Sequence, residues 1–379
     1  MLNNEFDDIR PYDDSEVPAA ISRIIASKRV GGLLVPFLPQ HEIDEVLSAL
    51  PDVKTVDQFQ FGIIKKIADA VLLKAGSELI SENAEHLNTD CGYLFISNHR
   101  DIVLDPTFLD YILHLNHIQT VEIAIGNNLL IEPWIEDLVR VNKSFIVKRD
   151  VQGRELLLAS MKMSSYIRYV VEQKKGNVWI AQREGRAKDG NDATQIALLK
   201  MLLMSARDSS PEDAFAVLNI IPVSISYEYD PCDVLKANEL YQTATGGEFQ
   251  KTPEMDLLSM KFGLTGLKGK ICYAFGKVPD MTPLKEAEDV HSACEVLAKL
   301  IDNQIFSLTH LFSTHYIGWD LYYGVNDFSH KYTETDIAQF ESIIDDKIRE
   351  LLPLYDGNQE FRKFVYLQYA NILKNALNL

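Results

Sequence analysis

The sequence predicts an α/β fold in which helices flank a mostly parallel, mixed sheet. Six short runs rich in β-branched and aromatic residues alternate with helical stretches in the middle of the chain, as in βαβ units. Before and after this region, apolar residues recur every three or four positions, which indicates helices at both ends. We therefore expect an N-terminal helical domain over residues 1–88 and an α/β domain over residues 89–379. The α/β domain is expected to have its core at 93–230 and a helical C-terminal part at 284–379.

The individual elements follow from local patterns. In the first domain, helices are predicted from Ser15 onward, at 40–50 and at 55–80, without a strand between them. Strands are predicted at 93–97, 121–125, 144–148, 178–181, 217–227 and 271–275. The remaining helices are predicted at 106–116, 131–141, 153–174, 192–207, 232–244, 284–312, 334–352 and 358–378. Ligands of such sheets bind at loops after the carboxyl ends of strands, so a site is expected after the strands at 93, 144, 178 and 217.

Charge limits the class of partner. The 379 residues include 37 Lys or Arg and 55 Asp or Glu, a net charge of −18, which argues against a nucleic-acid-binding protein. Residues 140–190 nevertheless carry 12 Lys or Arg against 5 Asp or Glu, a local net charge of +7. An acidic protein with one basic region should contact an anionic membrane only locally.

The chain shows no secretory signal pattern and no apolar run near the roughly 18 residues that span a bilayer. Its four cysteines lie too far apart for a zinc motif and fit a reducing compartment. We expect a cytoplasmic protein, at most peripheral on the inner face of the membrane. The apolar segment 30–38 is a candidate for membrane or acyl-chain contact, with an ordinary packed loop as the alternative.

The loop after the strand at 93 contains Asn98, His99, Arg100, Asp101 and Asp105. A histidine next to a buried strand, with carboxylates two and six residues later, is typical of an oriented general base. Alternatively, His99 only covers the sheet edge and Asp105 caps the following helix. A metal-dependent hydrolase that uses His99, Asp101 and Asp105 also stays open.

The other loops carry cations and a proline. Lys148 and Arg149 follow the strand at 144, and Arg186 and Lys188 follow Glu184 and Gly185 after the strand at 178. Arg and Lys spaced in this way after a glycine turn suit a phosphate, although a solvated turn would look the same. Pro222 interrupts the strand at 217–227.

Together these four segments, NHRDIVLD, KSFIVKR, WIAQREGRAK and IIPVSISYE, resemble the ordered motif blocks of the glycerol-3-phosphate and lysophosphatidate acyltransferase superfamily. The third segment is especially similar to the soluble plastid-type glycerol-3-phosphate acyltransferases. In the family, four residues separate the histidine and aspartate of the first block, whereas five separate His99 from Asp105. The proline after Asp105 favours that residue as the match, with Asp101 as its competitor. The third block also lacks the family's threonine.

The resemblance implies transfer of an acyl group from acyl-CoA or acyl-carrier protein to a hydroxyl of glycerol 3-phosphate or 1-acylglycerol 3-phosphate, in phospholipid biosynthesis. It implies His99 as the base and Asp105 as its orienter. It also implies phosphate binding by Lys148, Arg149, Arg186 and Lys188, with Asn98, Arg100, Glu184, Gly185 and Pro222 in support. Neither a metal nor a cofactor besides the acyl donor is implied, and no Gly-x-Ser-x-Gly elbow suggests an acyl-enzyme.

Three alternatives remain open at this point. The acceptor could be another lipid, such as an amino-acid or sugar lipid. The His–Asp cluster could serve a metal-dependent phosphohydrolase, or the protein could be a lipid carrier without catalysis. His310, His315 and His330, in the C-terminal part, match no metal motif and are interpreted as structural.

Overall fold

Seven strands form one sheet in the computed structural model of the chain, which describes residues 5–36, 38–246, 249, 252–355 and 357–379. The strand order is β1-β7-β6-β2-β5-β3-β4, and all neighbours are parallel except β6 and β7. The predicted mostly parallel, mixed sheet is therefore confirmed. The strands are β1 Glu78–Glu82, β2 Leu94–Ser97, β3 Val121–Gly126, β4 Ser144–Val147, β5 Asn177–Ala181, β6 Ile220–Tyr227 and β7 Lys270–Phe275.

Helices precede, flank and follow the sheet, as predicted. Within the described residues they are α1 Val17–Ala26, α2 Val30–Leu34, α3 Gln40–Ala49, α4 Val56–Phe59, α5 Lys65–Lys74, α6 Leu104–Leu115, α7 Pro133–Val141, α8 Gly153–Arg168, α9 Ile196–Leu203, α10 Pro211–Ala216, α11 Asp233–Ala244, α12 Pro253–Thr265, α13 Val290–Ser307, α14 Ser313–Tyr323, α15 Glu334–Leu351 and α16 Gln359–Leu377.

The helix predicted over 55–80 is wrong in its last residues. The helix ends at Lys74, and Gly76, with φ +57°, takes the left-handed conformation that terminates a helix. The chain then enters β1, which was not predicted because its five residues, ELISE, place their two aliphatic residues side by side rather than in alternation. Residues 78–82 therefore belong to the sheet and not to the N-terminal helices.

Four helices among the described residues were absent from the prediction: α2, α10, α12 and α14. The strand expected from residue 217 begins only at Ile220, because α10 occupies the residues up to Ala216. In the apolar segment 30–38, α2 buries Val30 and Leu34 and leaves Leu33 and Val35 exposed, while Phe37 lies outside the described residues. No helix among the described residues is long and apolar enough to cross a bilayer.

Alternate residues of the central strands enter different cores, as the pleat requires. Leu94 and Ile96 of β2 pack with residues of α8, α9 and α13 on one face. Phe95, between them, packs with α5 and α6 on the other face. Helices α1 to α4 bury most of their apolar side chains in a separate cluster, and α11, α15 and α16 contribute to a fourth. The sheet is thus covered on both faces, so its carboxyl edge is where a cleft can open.

Candidate active site

A cleft of about 770 Å³ lies beside the carboxyl ends of β3, β4 and β5, next to the first half of α8. Its lining includes the buried apolar side chains of Ile146, Ile180 and Met201. His99 and several cations also line it, so the cleft combines an apolar part with polar groups. Three of the four loops proposed from the sequence, those after β2, β4 and β5, contribute directly to it.

His99 follows the end of β2 and forms a close pair with Asp105. Its Nδ1 lies 2.8 Å from Oδ2 of Asp105, which also accepts hydrogen bonds from the amides of Arg100 (2.6 Å) and Asp101 (3.0 Å). Asp105 is fully buried, whereas the His99 side chain is 13 % exposed and lines the cleft. Because the Asp105 carboxylate accepts a hydrogen bond from Nδ1–H of His99, the hydrogen bonding assigns the proton to Nδ1 and leaves Nε2 as the acceptor nitrogen.

The end of β2 is fixed by side chains that extend the sheet. The Asn98 side chain accepts from the amide of Ile225 and donates to its carbonyl, both at 2.8 Å. Ser97 Oγ donates to the Asn98 carbonyl and accepts from the Trp179 indole at 3.0 Å. The Trp179 ring also meets the His99 ring edge-on, with centroids 5.7 Å apart. The strand end that carries His99 is therefore fixed by β6, through Asn98, and by β5, through Trp179.

Asp101 has a different position from Asp105. Its Oδ1 accepts hydrogen bonds from the amides of Val103 (2.9 Å) and Leu104 (2.8 Å), where α6 begins. Burial and the neighbouring Asp105 raise the pKa of the Asp101 carboxyl. A Cβ on Gly263 of α12 would lie 2.0 Å from Asp101 Oδ2, so this carboxyl is enclosed by α12. Of the two candidates named from the sequence, Asp105 contacts His99, and Asp101 caps the helix that carries Asp105.

Lys148 and Arg149 both line the cleft, as do Glu184 and Gly185. The Lys148 ammonium is 3.7 Å from Asp8, and the Arg149 guanidinium is 3.8 Å from Glu184. The two cationic side chains are 46 % and 41 % exposed. Such long, solvated ion pairs are weak, so an anionic ligand can replace them.

Arg186 and Lys188 are not brought to this cleft. Arg186 is 7 % exposed, and its charge interacts with Cys232 and Asp101. The Lys188 ammonium is 2.6 Å from Glu239 of α11, and burial lowers its pKa. Arg100 likewise pairs with a buried carboxylate, that of Asp192, at 2.8 Å.

The other supporting residue predicted from the sequence lies within the sheet. Pro222 of β6 is paired in register with Ile96 of β2. Its carbonyl accepts from the Gly276 amide at 2.8 Å. Pro222 is thus part of the frame on which the loop after β2 rests.

Arg183 lines the cleft, although it was not among the site residues predicted from the sequence. Its place in the chain was the signal that could have found it, because Arg183 stands two residues after the end of β5, in one of the loops expected to form the site. Lys162 of α8 is a second cation of the cleft, and it pairs with Asp8.

The loop after β5 is anchored on α16. Gly190, with φ +76°, approaches α16 so closely that a Cβ would lie 2.1 Å from the Gln368 carbonyl oxygen. The Asn371 side chain donates to the Asp189 carbonyl at 2.9 Å. The C-terminal helix therefore sets the position of the loop that carries Arg183 and Glu184.

Comparison with known proteins bears on this arrangement. Residues 78–226 match the family model described as Acyltransferase. A solved structure with similarity to the chain is the 1-acyl-sn-glycerophosphate (LPA) acyltransferase PlsC from Thermotoga maritima, at 14 % identity and a TM-score of 0.39. That alignment covers 75 % of this chain and 92 % of the PlsC chain. The comparison with curated proteins finds no match. The family match covers the region that holds the four motif segments and confirms the resemblance drawn from them: residues 78–226 form an acyltransferase domain.

Proposed function

We propose that this protein transfers a fatty acyl group from a thioester, acyl-CoA or acyl-carrier protein, to a hydroxyl of glycerol 3-phosphate or 1-acylglycerol 3-phosphate. The observation that carries the proposal is the cleft itself. It joins the His99–Asp105 pair to apolar residues that suit an acyl chain and to cations that suit a phosphate. These are the three chemical parts that such a reaction requires.

In the proposed reaction, His99 Nε2 takes the proton from the acceptor hydroxyl as its oxygen attacks the thioester carbonyl. The C–S bond then breaks, and the imidazolium returns the proton to the leaving thiolate. Asp105 stays ionised, holds the ring and stabilises its positive charge during the attack. Transfer is proposed to be direct, without an acyl-enzyme, and to need no cofactor besides the acyl donor.

The acceptor phosphate is proposed to bind Lys148, Arg149 and Arg183, the cations placed on the cleft. The phosphate would compete with Asp8 and Glu184 for these cations, and both existing ion pairs are long. Arg186 and Lys188 could join them only if the loop after β5 opened. Binding the acceptor in this way would orient its hydroxyl and so lower the activation free energy. Orientation is worth up to roughly 7–11 kcal/mol in well-ordered reactions.

A peripheral membrane contact is proposed at the start of α8. Leu156, Leu157 and Leu158 are 47 %, 48 % and 53 % exposed, and the first and third of them line the cleft. Consecutive exposed leucines at the edge of an apolar cleft suit a lipid surface better than water. Arg154, on the preceding turn and also exposed, would favour an anionic headgroup.

The phosphohydrolase alternative receives less support from the geometry. A metal held by His99, Asp101 and Asp105 would need all three side chains to converge. Asp101 is instead committed to the amides of Val103 and Leu104.

A thiol-release assay tests the proposed function. The enzyme would be given long-chain acyl-CoA and acyl-carrier protein with glycerol 3-phosphate, 1-acylglycerol 3-phosphate and their non-phosphorylated analogues. We expect acceptor-dependent release with the phosphorylated acceptors and its loss in His99→Ala. Near-wild-type turnover in that variant would exclude the proposed base. Turnover that was equal for phosphorylated and non-phosphorylated acceptors would exclude the phosphate site and favour another lipid acceptor.

A further inference from the structure

Three potential metal ligands converge at the β1 side of the sheet, away from the cleft. They are Glu82 at the end of β1, Cys272 in β7 and His310 between α13 and α14. His310 Nδ1 lies 3.0 Å from Glu82 Oε1, and the three donor atoms all lie within 4.8 Å of one another. In the sheet, β7 and β6 separate β1 from β2, the strand that leads to His99.

The fold places each of these donors independently. Cys272 is paired in register with Ile80, so Glu82, two residues beyond Ile80, projects from the same face of the sheet. Ser226 of β6 is paired with Cys272, and its Oγ accepts from the His310 amide at 3.1 Å. Two strand pairings and one side-chain hydrogen bond therefore hold the three ligand-bearing backbones together.

The donor set is one that zinc prefers. Thiolate, imidazole and carboxylate are the usual protein ligands of Zn²⁺, in a tetrahedral arrangement. Cys272 is fully buried, whereas the side chains of His310 and Glu82 are 36 % and 41 % exposed. An ion can thus enter from solvent and keep a water molecule as its fourth ligand.

We propose that Glu82, Cys272 and His310 form a zinc site. Bound zinc would connect β1, whose strand partner is β7, to the segment between α13 and α14. His310, which was interpreted as structural from the sequence, would then be a metal ligand. The proposal is independent of the acyl-transfer reaction, because none of the three residues lines the cleft.

Metal titration of the chelator-treated, full-length protein tests this site. We expect one equivalent of Zn²⁺ to bind and to raise the melting temperature. Co²⁺ should give the thiolate charge-transfer absorption of a cysteine ligand. In Cys272→Ser this absorption should disappear, and the zinc Kd should rise at least ~10-fold, since even changes outside the ligand shell cost that much. Cys294→Ser, a buried cysteine in α13, is the matched control and should keep both properties.

The exposed ligands allow a second test should Cys272→Ser fold poorly. Glu82→Gln and His310→Ala alter half-exposed side chains, and both should weaken zinc binding and abolish the zinc-dependent rise in melting temperature. Binding of less than one equivalent by the wild-type protein would overturn the proposal. So would a zinc affinity that is unchanged in Glu82→Gln and His310→Ala.

Discussion

Replacement of Asp105 by Asn is expected to reduce turnover strongly without unfolding the protein. Asp105 Oδ2 accepts from two backbone amides and from His99, so an amide oxygen at the same position can keep all three contacts. The tautomer of His99 is thereby preserved. What the variant loses is the negative charge beside the imidazolium that forms as the acceptor is deprotonated.

The size of this loss follows from the geometry. The Nδ1–Oδ2 distance is 2.8 Å, and the centres of the two delocalised charges are separated by roughly 4 Å. Two unit charges at that separation attract by about 4 kcal/mol at an effective dielectric constant near 20. Each ~1.4 kcal/mol of transition-state stabilisation is a factor of ten in rate, so kcat should fall by about 10³.

Thiol release under saturating substrates measures kcat, with thermal unfolding as the check on folding. Asp101→Asn is the matched control, because Asp101 is a buried carboxylate on the same loop that contacts two amides and not His99. We expect this control to keep turnover within a few-fold of wild type. The reasoning would be refuted if Asp105→Asn lost less than about ten-fold, or if Asp101→Asn lost as much as Asp105→Asn.

Four other outcomes are expected. Arg183→Ala should raise the KM for the phosphorylated acceptor several-fold and leave the KM for the acyl donor nearly unchanged. The exposed Arg207→Ala is its control, and equal effects on both substrates would contradict phosphate binding. Serine at Leu156, Leu157 and Leu158 should reduce co-sedimentation with anionic vesicles, whereas serine at the equally exposed Leu257 and Leu258 of α12 should not; identical losses would argue against a specific membrane face. Gly190→Ala should lower the urea midpoint more than Gly185→Ala. Both have positive φ, which costs roughly 1–2 kcal/mol with a side chain, but only Gly190 faces a backbone oxygen. Burial lowers the pKa of Lys268 to about 8, so the unfolded chain binds more protons than the native protein between pH 8 and 10.5, and stability should rise with pH in that window. Lys268→Met should remove this rise. If the melting temperatures of the two proteins changed in parallel from pH 7 to 10.5, the lowered pKa of Lys268 would be contradicted.

The central part of the fold was predictable because its strands are short, continuous apolar runs. Leu94, Phe95 and Ile96 are all buried, and β5 and β7 carry similar apolar runs at 178–181 and 271–275. β1 has only two aliphatic residues and owes its place to pairing with β7, which local sequence does not encode. α14 was missed because apolar and polar residues alternate irregularly in STHYIGWDLYY.

In the site, spacing predicted which residues follow each strand but not where the side chains point. The His99–Asp105 contact was expected from the first motif segment, and the structure has it at 2.8 Å. The direction of Arg186 and Lys188 depends on partners distant in the chain. Glu239, the partner of Lys188, is 51 residues away, and no local pattern identifies it.

The place of β7 in the sheet has a consequence for how the chain is made. The segment that matches the family model ends at residue 226, yet β1 pairs with β7, and Glu78 meets Lys270, 192 residues later. At ~5–20 residues per second, β1 waits on the order of 10–40 s after its synthesis before its neighbour leaves the ribosome. A gene fragment that stops at the family boundary would therefore yield a sheet with an unpaired first strand. The segment that matches the family model is thus shorter than the segment that completes the sheet.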